Sequence, residues 1–305
     1  MAEDFPRTLL ELEQRFSDEA ACRAFLFKLR WPQGFTCPEC RGQKVWPMTG
    51  SRWLCAGCRW QVSVTAGTVF QDSKLPLVVW FRAMWQVTAQ KNGVRAMGLQ
   101  RVLGLGSDKT AWTVRHKLRR AMVRPGRERL HGAVEVDEAY WGGQEQDVRG
   151  RETYEKALIA IASEADGEGI GRIRLRHIPD TSRATLHGFI ADSIEPGSTV
   201  QTDGLQAYRE MKGYVHDRRV QSHQPEDAEH LLPRAHRVIS LLKRWLLGTH
   251  QGAVGADYLQ DYLDEFTFRF NRRTSATRGK LFFRLAQQAV QTEPTAYDAL
   301  GKHNP

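Results

Sequence analysis

Apolar positions recur along this chain at two different spacings, and the changes between them divide it. Between about Asp18 and Leu29, residues Cys22, Phe25, Leu26 and Leu29 fall at helical intervals behind Ser17. That pattern predicts an amphipathic helix capped by Ser17, with Cys22 in its buried stripe. From Val45 to Thr65 the spacing shortens to two, through Val45-Trp46, Arg52-Trp53-Leu54 and Trp60-Gln-Val-Ser-Val-Thr, and predicts a small hairpin. Helical spacing returns over Leu77–Thr88, where Trp80, Phe81, Met84 and Trp85 read as core. Two shorter helical runs, Val94–Leu103 and Lys109–Met122, follow with Gly104-Leu-Gly106-Ser107-Asp108 between them. Two short helices around a glycine-containing turn fit a helix-turn-helix, and a plain helical hairpin fits the same pattern.

At Ala133 the chain changes again. Ala-Val-Glu-Val-Asp-Glu-Ala-Tyr alternates like a strand and stops at Trp141-Gly142-Gly143. Further strands are expected at Lys156–Ser163, Ile170–Ile178 and Ser198–Thr202, with a helix capped by Thr181 or Ser182 running to about Ile194 and another opened by Pro233. Strand, strand, strand, helix, strand and then helices is the order of a mixed α/β sheet. A chain of 305 residues suits one sizeable domain with smaller companions. The expected divisions are 1–72, 73–130, 131–290 and a tail at 291–305.

Composition adds little until charge is located. Hydrophobic residues at 41% and charged residues at 26% are ordinary for a globular chain and argue against disorder. No apolar stretch approaches a membrane span and the acidic start lacks a signal pattern, so a soluble, unexported, cytoplasmic and nucleoid-associated protein is expected, with no membrane partner. The net charge of +9 sits in one place: residues 91–130 hold eleven Lys and Arg against Asp108 and Glu128, and the remainder sums to zero. That concentration points to nucleic acid rather than to a merely solvated face. Lys109, Arg115, Lys117, Arg119 and Arg120 on the second short helix are the candidate DNA contacts, suited to phosphates and base edges.

Four of the five cysteines form Cys37-x-x-Cys40 and Cys55-x-x-Cys58. Two such turns close a tetrahedral shell around one zinc, which leaves no open ligand position and makes the metal structural. Disulfides are disfavoured in a chain kept among reduced thiols. In the large domain, Asp137 lies within the first strand and Asp203 ends the fourth, just before Gly204. Val134 and Val136 share one strand face, so Glu135 and Asp137 share the other. Paired acids on one face repel unless solvent, a cation or a metal relieves them. An exposed strand face and an Asp-Gly turn are the plainer readings of the two sites.

These residues also resemble a known family. Val134-Glu-Val-Asp137-Glu, Lys156-Ala-Leu-Ile, Val200-Gln-Thr-Asp203-Gly, Ser240-Leu-Leu-Lys243-Arg and Tyr262-Leu-Asp-Glu-Phe-Thr-Phe-Arg-Phe-Asn271-Arg are similar to zinc-ribbon insertion-sequence transposases of the DDE superfamily, ISXO-type. So are Arg30-Trp31-Pro-x-Gly-Phe before the ribbon and Gly67-Thr68-Val-Phe after it. The resemblance implies a ribonuclease-H-like mixed sheet flanked by helices, holding catalytic Mg²⁺ or Mn²⁺, preceded by the ribbon and a helix-turn-helix-like segment. It implies double-stranded DNA partners, terminal inverted repeats and target, and a homo-oligomer when two ends are synapsed. Asp137 and Asp203 match the first two catalytic acids. The third position, seven residues before Lys243, is His236, a departure from a three-carboxylate triad. Residues 236, 240 and 243 fall on one helix face, so His236 and Lys243 are both able to point at the site. A capping or packing histidine is the alternative, with Glu135 or Glu229 supplying the third carboxylate. Lys243 is expected at phosphate; Arg272, Arg273, Arg278 and Lys280 are expected to guide DNA backbone. Two rivals share the evidence: a metal-dependent nuclease or resolvase of the same fold, and an inactive transposase-derived DNA-binding protein. A ribbon-containing transcription factor fits less well, because it leaves the carboxylate domain without a role.

Overall fold

Capping decides where the first helices begin. Thr8 caps α1 (Leu9–Arg15), and Asp18, rather than the expected Ser17, caps α2 (Glu19–Arg30) by accepting from the Ala21 amide at 2.8 Å. The computed structural model describes residues 4–48, 52–124, 126–142, 156–219, 231–252 and 254–300. The chain divides into two units, residues up to 124 with 274–300, and residues 125–273. Among the described residues, no helix is long and apolar enough to cross a membrane.

In the first unit, β1 (Val45–Pro47), β2 (Arg52–Cys55) and β3 (Gln61–Ser63) form the antiparallel ribbon hairpin. Phe27, Trp31 and Val45 pack against buried Phe35, Cys37, Cys55 and Val62, so α2 and the ribbon share one small core. Cys22 lies on the other side of α2, fully buried, and burial with nearby Glu19 and Asp18 pushes its thiol up to about 12. It is a packing residue. Next come α3 (Leu77–Ala89), α4 (Ala96–Leu103) and α5 (Asp108–Arg120). Gly104 ends α4 in the left-handed conformation, φ +63°, which favours glycine, and Ser107 caps α5.

Residues 274–300 return to this unit. The last α-helix among the described residues, Arg278–Ala289, sets Phe282 against Phe81 (ring centroids 5.7 Å), Trp85 (6.0 Å) and Phe25 (6.3 Å). A side chain at Gly279 would collide with the Pro6 carbonyl, so glycine permits the close approach. The division expected from the sequence carried the large domain to residue 290; the aromatic packing of Phe282 draws that helix to the first unit instead.

The second unit is a five-stranded sheet. β4 (Ala133–Trp141), β5 (Ala157–Asp166) and β6 (Gly169–Ile178) form an antiparallel meander, and α6 (Arg183–Ser193), capped by Ser182, leads to β7 (Thr199–Thr202). β7 lies parallel to β4, and β8 (Val215–Arg218), a polar strand not expected from the sequence, lies parallel to β7. The order β6-β5-β4-β7-β8, antiparallel on one side of β4 and parallel on the other, is ribonuclease-H-like. Val134, Val136, Ala160 and Val200 face α6 through Leu186, Phe189 and Ile190. Ala139, Trp141, Ile159 and Ile161 face α7 (Pro233–His250) and α8 (Ala256–Phe270) through Val238, Leu242, Leu246, Leu259 and Leu263. Both faces of the sheet are therefore covered, and the face of Glu135 and Asp137 is not an open one. The helix of Arg278–Ala289 is α9.

Candidate catalytic centre and metal sites

The ribbon sulfurs meet the requirements of a metal. Cys37 Sγ and Cys58 Sγ lie 3.6 Å apart, as do Cys40 Sγ and Cys55 Sγ, and all four sulfurs lie within 4.8 Å of one another. A tetrahedron with zinc–sulfur bonds near 2.3 Å has edges of about 3.8 Å, whereas a disulfide would bring sulfurs to about 2.05 Å. Backbone N–H groups of Cys58 and Gly57 aimed at Cys55 hold its thiol down at about 6. Four sulfurs this close, one already biased to thiolate, are a donor set that a cation relieves. Among the described residues this is the one cluster of metal-ligating side chains with all ligand atoms so near.

The carboxylates make a more open arrangement. β4 and β7 pair in register through Ala133–Thr199, Val134–Val200 and Glu135–Gln201. Two residues beyond the last of these pairs come Asp137, still within β4, and Asp203, one residue past the end of β7. Asp203 Oδ1 accepts from the Leu205 amide at 2.9 Å, which turns the chain just past β7. Asp137 Oδ1 accepts from the Glu138 amide at 2.9 Å, and its Oδ2 faces His236 Nε2 at 3.3 Å. The side chain of His236 is 40% exposed and that of Asp137 is 14% exposed, so the pair, over the central strand β4, is partly open to solvent.

Glu135, weighed as a third carboxylate, is otherwise engaged. It is 1% exposed, and it accepts from the Ala235 amide at 2.9 Å and from Arg234 Nη1 at 3.0 Å. It caps the first turn of α7, where the helix offers free N–H groups and no cap of its own. Glu229 lies outside the described residues. Two groups that sequence reasoning passed over lie close by: Glu138 and Tyr208. Burial, then the negative charges of Glu138, Asp137 and Asp203, push the Tyr208 hydroxyl well above the usual tyrosine range. A tyrosine five residues after Asp203, buried from the α6 side of the sheet, carried no sequence signal, but it senses both aspartates at once.

Lys243 is exposed on α7, seven residues beyond His236, and lines a cavity with Trp141 and Val254. Arg272 and Arg273 are tied into the fold: their guanidinium groups lie 4.0 Å and 4.1 Å from the ring centroids of Phe268 and Phe270. Arg272 also donates to the Phe268 carbonyl and Arg273 to the Gly171 carbonyl.

The five cations expected to touch DNA separate into two groups. Arg115 is 4% exposed and Arg119 1% exposed, both inside the unit with fully buried His116 between them. They are corrected to interior residues: α5 is covered along most of its circumference, so spacing on a basic helix did not reveal which cations face out. Lys109, Lys117 and Arg120 lie on the remaining stripe. Lys109 Nζ sits 4.2 Å from the Tyr297 ring, and Arg120 Nη1 donates to Thr295 Oγ1 at 2.8 Å. Lys117 Nζ lies 3.5 Å from the Gln71 carbonyl, its pKa lowered by burial.

Comparison with known proteins matches residues 129–271 to the ISXO2-like transposase domain and residues 17–61 to the transposase zinc-ribbon domain. A relative in Halobacterium salinarum, described as an uncharacterized protein in transposable element ISH50, is 30% identical over 294 residues. The match covers 83% of this chain and 91% of the relative. A chain from the simian T-cell lymphotropic virus intasome in complex with PP2A regulatory subunit B56 gamma is 12% identical, with a TM-score of 0.32 over 65% of this chain and 74% of that one. That likeness is too slight to argue from.

Proposed function

Because this chain belongs to the ISXO2-like transposases that carry a transposase zinc ribbon, we propose that it cuts DNA at the ends of an insertion sequence and joins those ends to target DNA. The observation that supports the reading is His236 Nε2 facing Asp137 Oδ2 at 3.3 Å over the central strand β4, with Asp203 one residue past the end of the neighbouring strand β7.

Asp137, Asp203 and His236 would hold divalent metal, for which two carboxylates and an imidazole form an oxygen-rich donor set with room left for substrate oxygens. Mg²⁺ or Mn²⁺ there would activate water and neutralise charge on the phosphate under attack. The protein's own groups do the positioning. Asp137 and Asp203 are each fixed by a backbone N–H on one oxygen, which limits their rotation. Glu135 anchors the start of α7 and with it the height of His236 above the strand. Lys243 would meet a phosphate of the same strand, and Lys109, Lys117 and Arg120 would hold the duplex through its backbone. The four-cysteine ribbon would hold zinc and fold around it, contributing shape and no chemistry.

The test is a Mn²⁺-dependent cleavage assay on the DNA that flanks the reading frame, with joining of a labelled end to a plasmid as second readout. Wild type is expected to cleave and join, while Asp137→Ala and Asp203→Ala each lose both steps and keep end binding. Cleavage that survives either substitution overturns the site. Cleavage without joining reduces the activity to hydrolysis alone.

A further inference from the structure

Beside the proposed centre, between the far end of β4 and the turn from α7 to α8, lies a cavity of about 490 Å³. Sites that enclose small ligands typically measure about 300–1,000 Å³. Trp141, Leu247, Val254, Lys243, Gly255 and Ala256 are among the residues that line it. Lys243 follows His236 by seven residues of helix, about 10 Å, and Trp141 follows Asp137 by four residues of strand, about 13 Å. At about 3.4 Å per stacked nucleotide, this is three or four nucleotides from the proposed metal site.

The chemistry of the cavity is divided. Its lining includes the aromatic side chains of Tyr140 and Trp141 and the apolar Leu247, which is 58% exposed. Its rim is positive: Lys243 supplies an ammonium, and α8, fifteen residues long, begins there behind Gly255 with no side chain capping its first amides. The acid of that first turn, Asp257, is not among the lining residues. A flat apolar body joined to a phosphate fits such a slot, and DNA supplies that as a base drawn out of its stack. Resting on the DNA-cutting reading above, we infer that this cavity is a nucleotide subsite. It takes one unstacked base of the strand being cut, with the adjoining phosphate at Lys243 and the α8 N-terminus.

Duplexes of the DNA flanking the reading frame, with 2-aminopurine replacing one base at a time near the cleaved phosphate, report unstacking when the full chain binds. A fluorescence rise is expected at one position with wild type. It is expected to vanish in Ala256→Trp, which fills the cavity, and in Leu247→Glu, which places negative charge at its mouth. Both variants should bind the duplex about fivefold or more weakly, as when a base–aromatic stack is lost. An abasic site at the responding position should restore duplex binding by Ala256→Trp. A rise that persists in both variants, or no rise at any position in a protein that cleaves the same duplex, overturns the subsite and leaves the cleavage reading standing. A protein that neither binds nor cleaves overturns the cleavage reading and the subsite with it.

Discussion

Replacing Lys109, Lys117 and Arg120 with alanine together should flatten the salt dependence of DNA binding, and replacing Arg115 and Arg119 should not. The three cations occupy the open stripe of α5, which spans about 16 Å from residue 109 to residue 120 at 1.5 Å per residue. Their present partners are easily exchanged: a ring centroid at 4.2 Å, a carbonyl at 3.5 Å and a threonine hydroxyl at 2.8 Å. An exposed cation–π contact stabilises by only about 0.5–1 kcal/mol. Each phosphate contact contributes about 0.9 to the slope of log affinity against log salt, so three contribute about 2.7. Between 50 and 200 mM salt the wild type should therefore lose about 40-fold more affinity than the triple variant. Arg115 and Arg119, at 4% and 1% exposure, reach no phosphate without unfolding the helix. Their truncation empties core volume and should cost about 2–5 kcal/mol, as in large-to-small core substitutions. Fluorescence anisotropy across a salt series gives the slopes, and denaturant midpoints give the stabilities. A triple variant with the wild-type slope refutes the reasoning, as does an Arg115→Ala, Arg119→Ala protein with a flattened slope and an unchanged midpoint.

Stripping metal with a strong chelator, or Cys40→Ser, should unfold the ribbon and expose residues 37–63 to protease, with one zinc released per chain; a ribbon that stays resistant without metal contradicts the sulfur geometry. His236→Glu replaces a nitrogen donor with a carboxylate, so the ratio of Mn²⁺- to Mg²⁺-supported cleavage should fall relative to wild type; equal ratios remove His236 from the ligand set. Glu164 is a pH-linked stabiliser: burial alone would raise its pKa, but hydrogen bonds from Arg172 and from the His131 and Arg172 amides outweigh it and hold the carboxyl at about 2. A pKa depressed from the ordinary 4.5 stabilises above that value and ceases to do so as pH falls towards 2, by no more than about 3 kcal/mol. Glu164→Gln should therefore lower the unfolding midpoint at pH 7 and match wild type near pH 2; a gap that persists at pH 2 refutes the linkage.

Legibility followed periodicity. The meander of β4 to β6, the crossing helix behind Ser182 and the cysteine turns were readable because each repeats a local pattern that packing also needs. β8 was not: Val215–Arg218 is four residues long, polar, and stabilised by pairing with β7 rather than by an apolar face of its own. The membership of α9 was hidden for a related reason, since Phe282 packs against residues two hundred positions earlier, and nothing in its own helix names that partner. For the proposed centre, the sequence singled out Asp137, Asp203 and His236, whereas Tyr208 emerged only with the turn after Asp203, which brings it under the sheet.

The contrast between Glu135 and Asp137 shows how tertiary structure assigns roles that strand alternation leaves equal. Both lie on the same face of β4, two residues apart, and alternation alone makes either a ligand. The difference comes from where α7 begins. Pro233 starts the helix with its fixed φ and no N–H, so the first turn delivers the Ala235 amide and the Arg234 guanidinium to Glu135. A carboxylate buried to 1% with those two partners is neutralised and satisfied. The next residue of the same turn, His236, reaches the next acid on that face, Asp137, at 3.3 Å. One acid thus fixes the helix, and the other faces the imidazole. The capping contact of Glu135 sets where the turn starts, and with it holds the imidazole at position 236 facing Asp137.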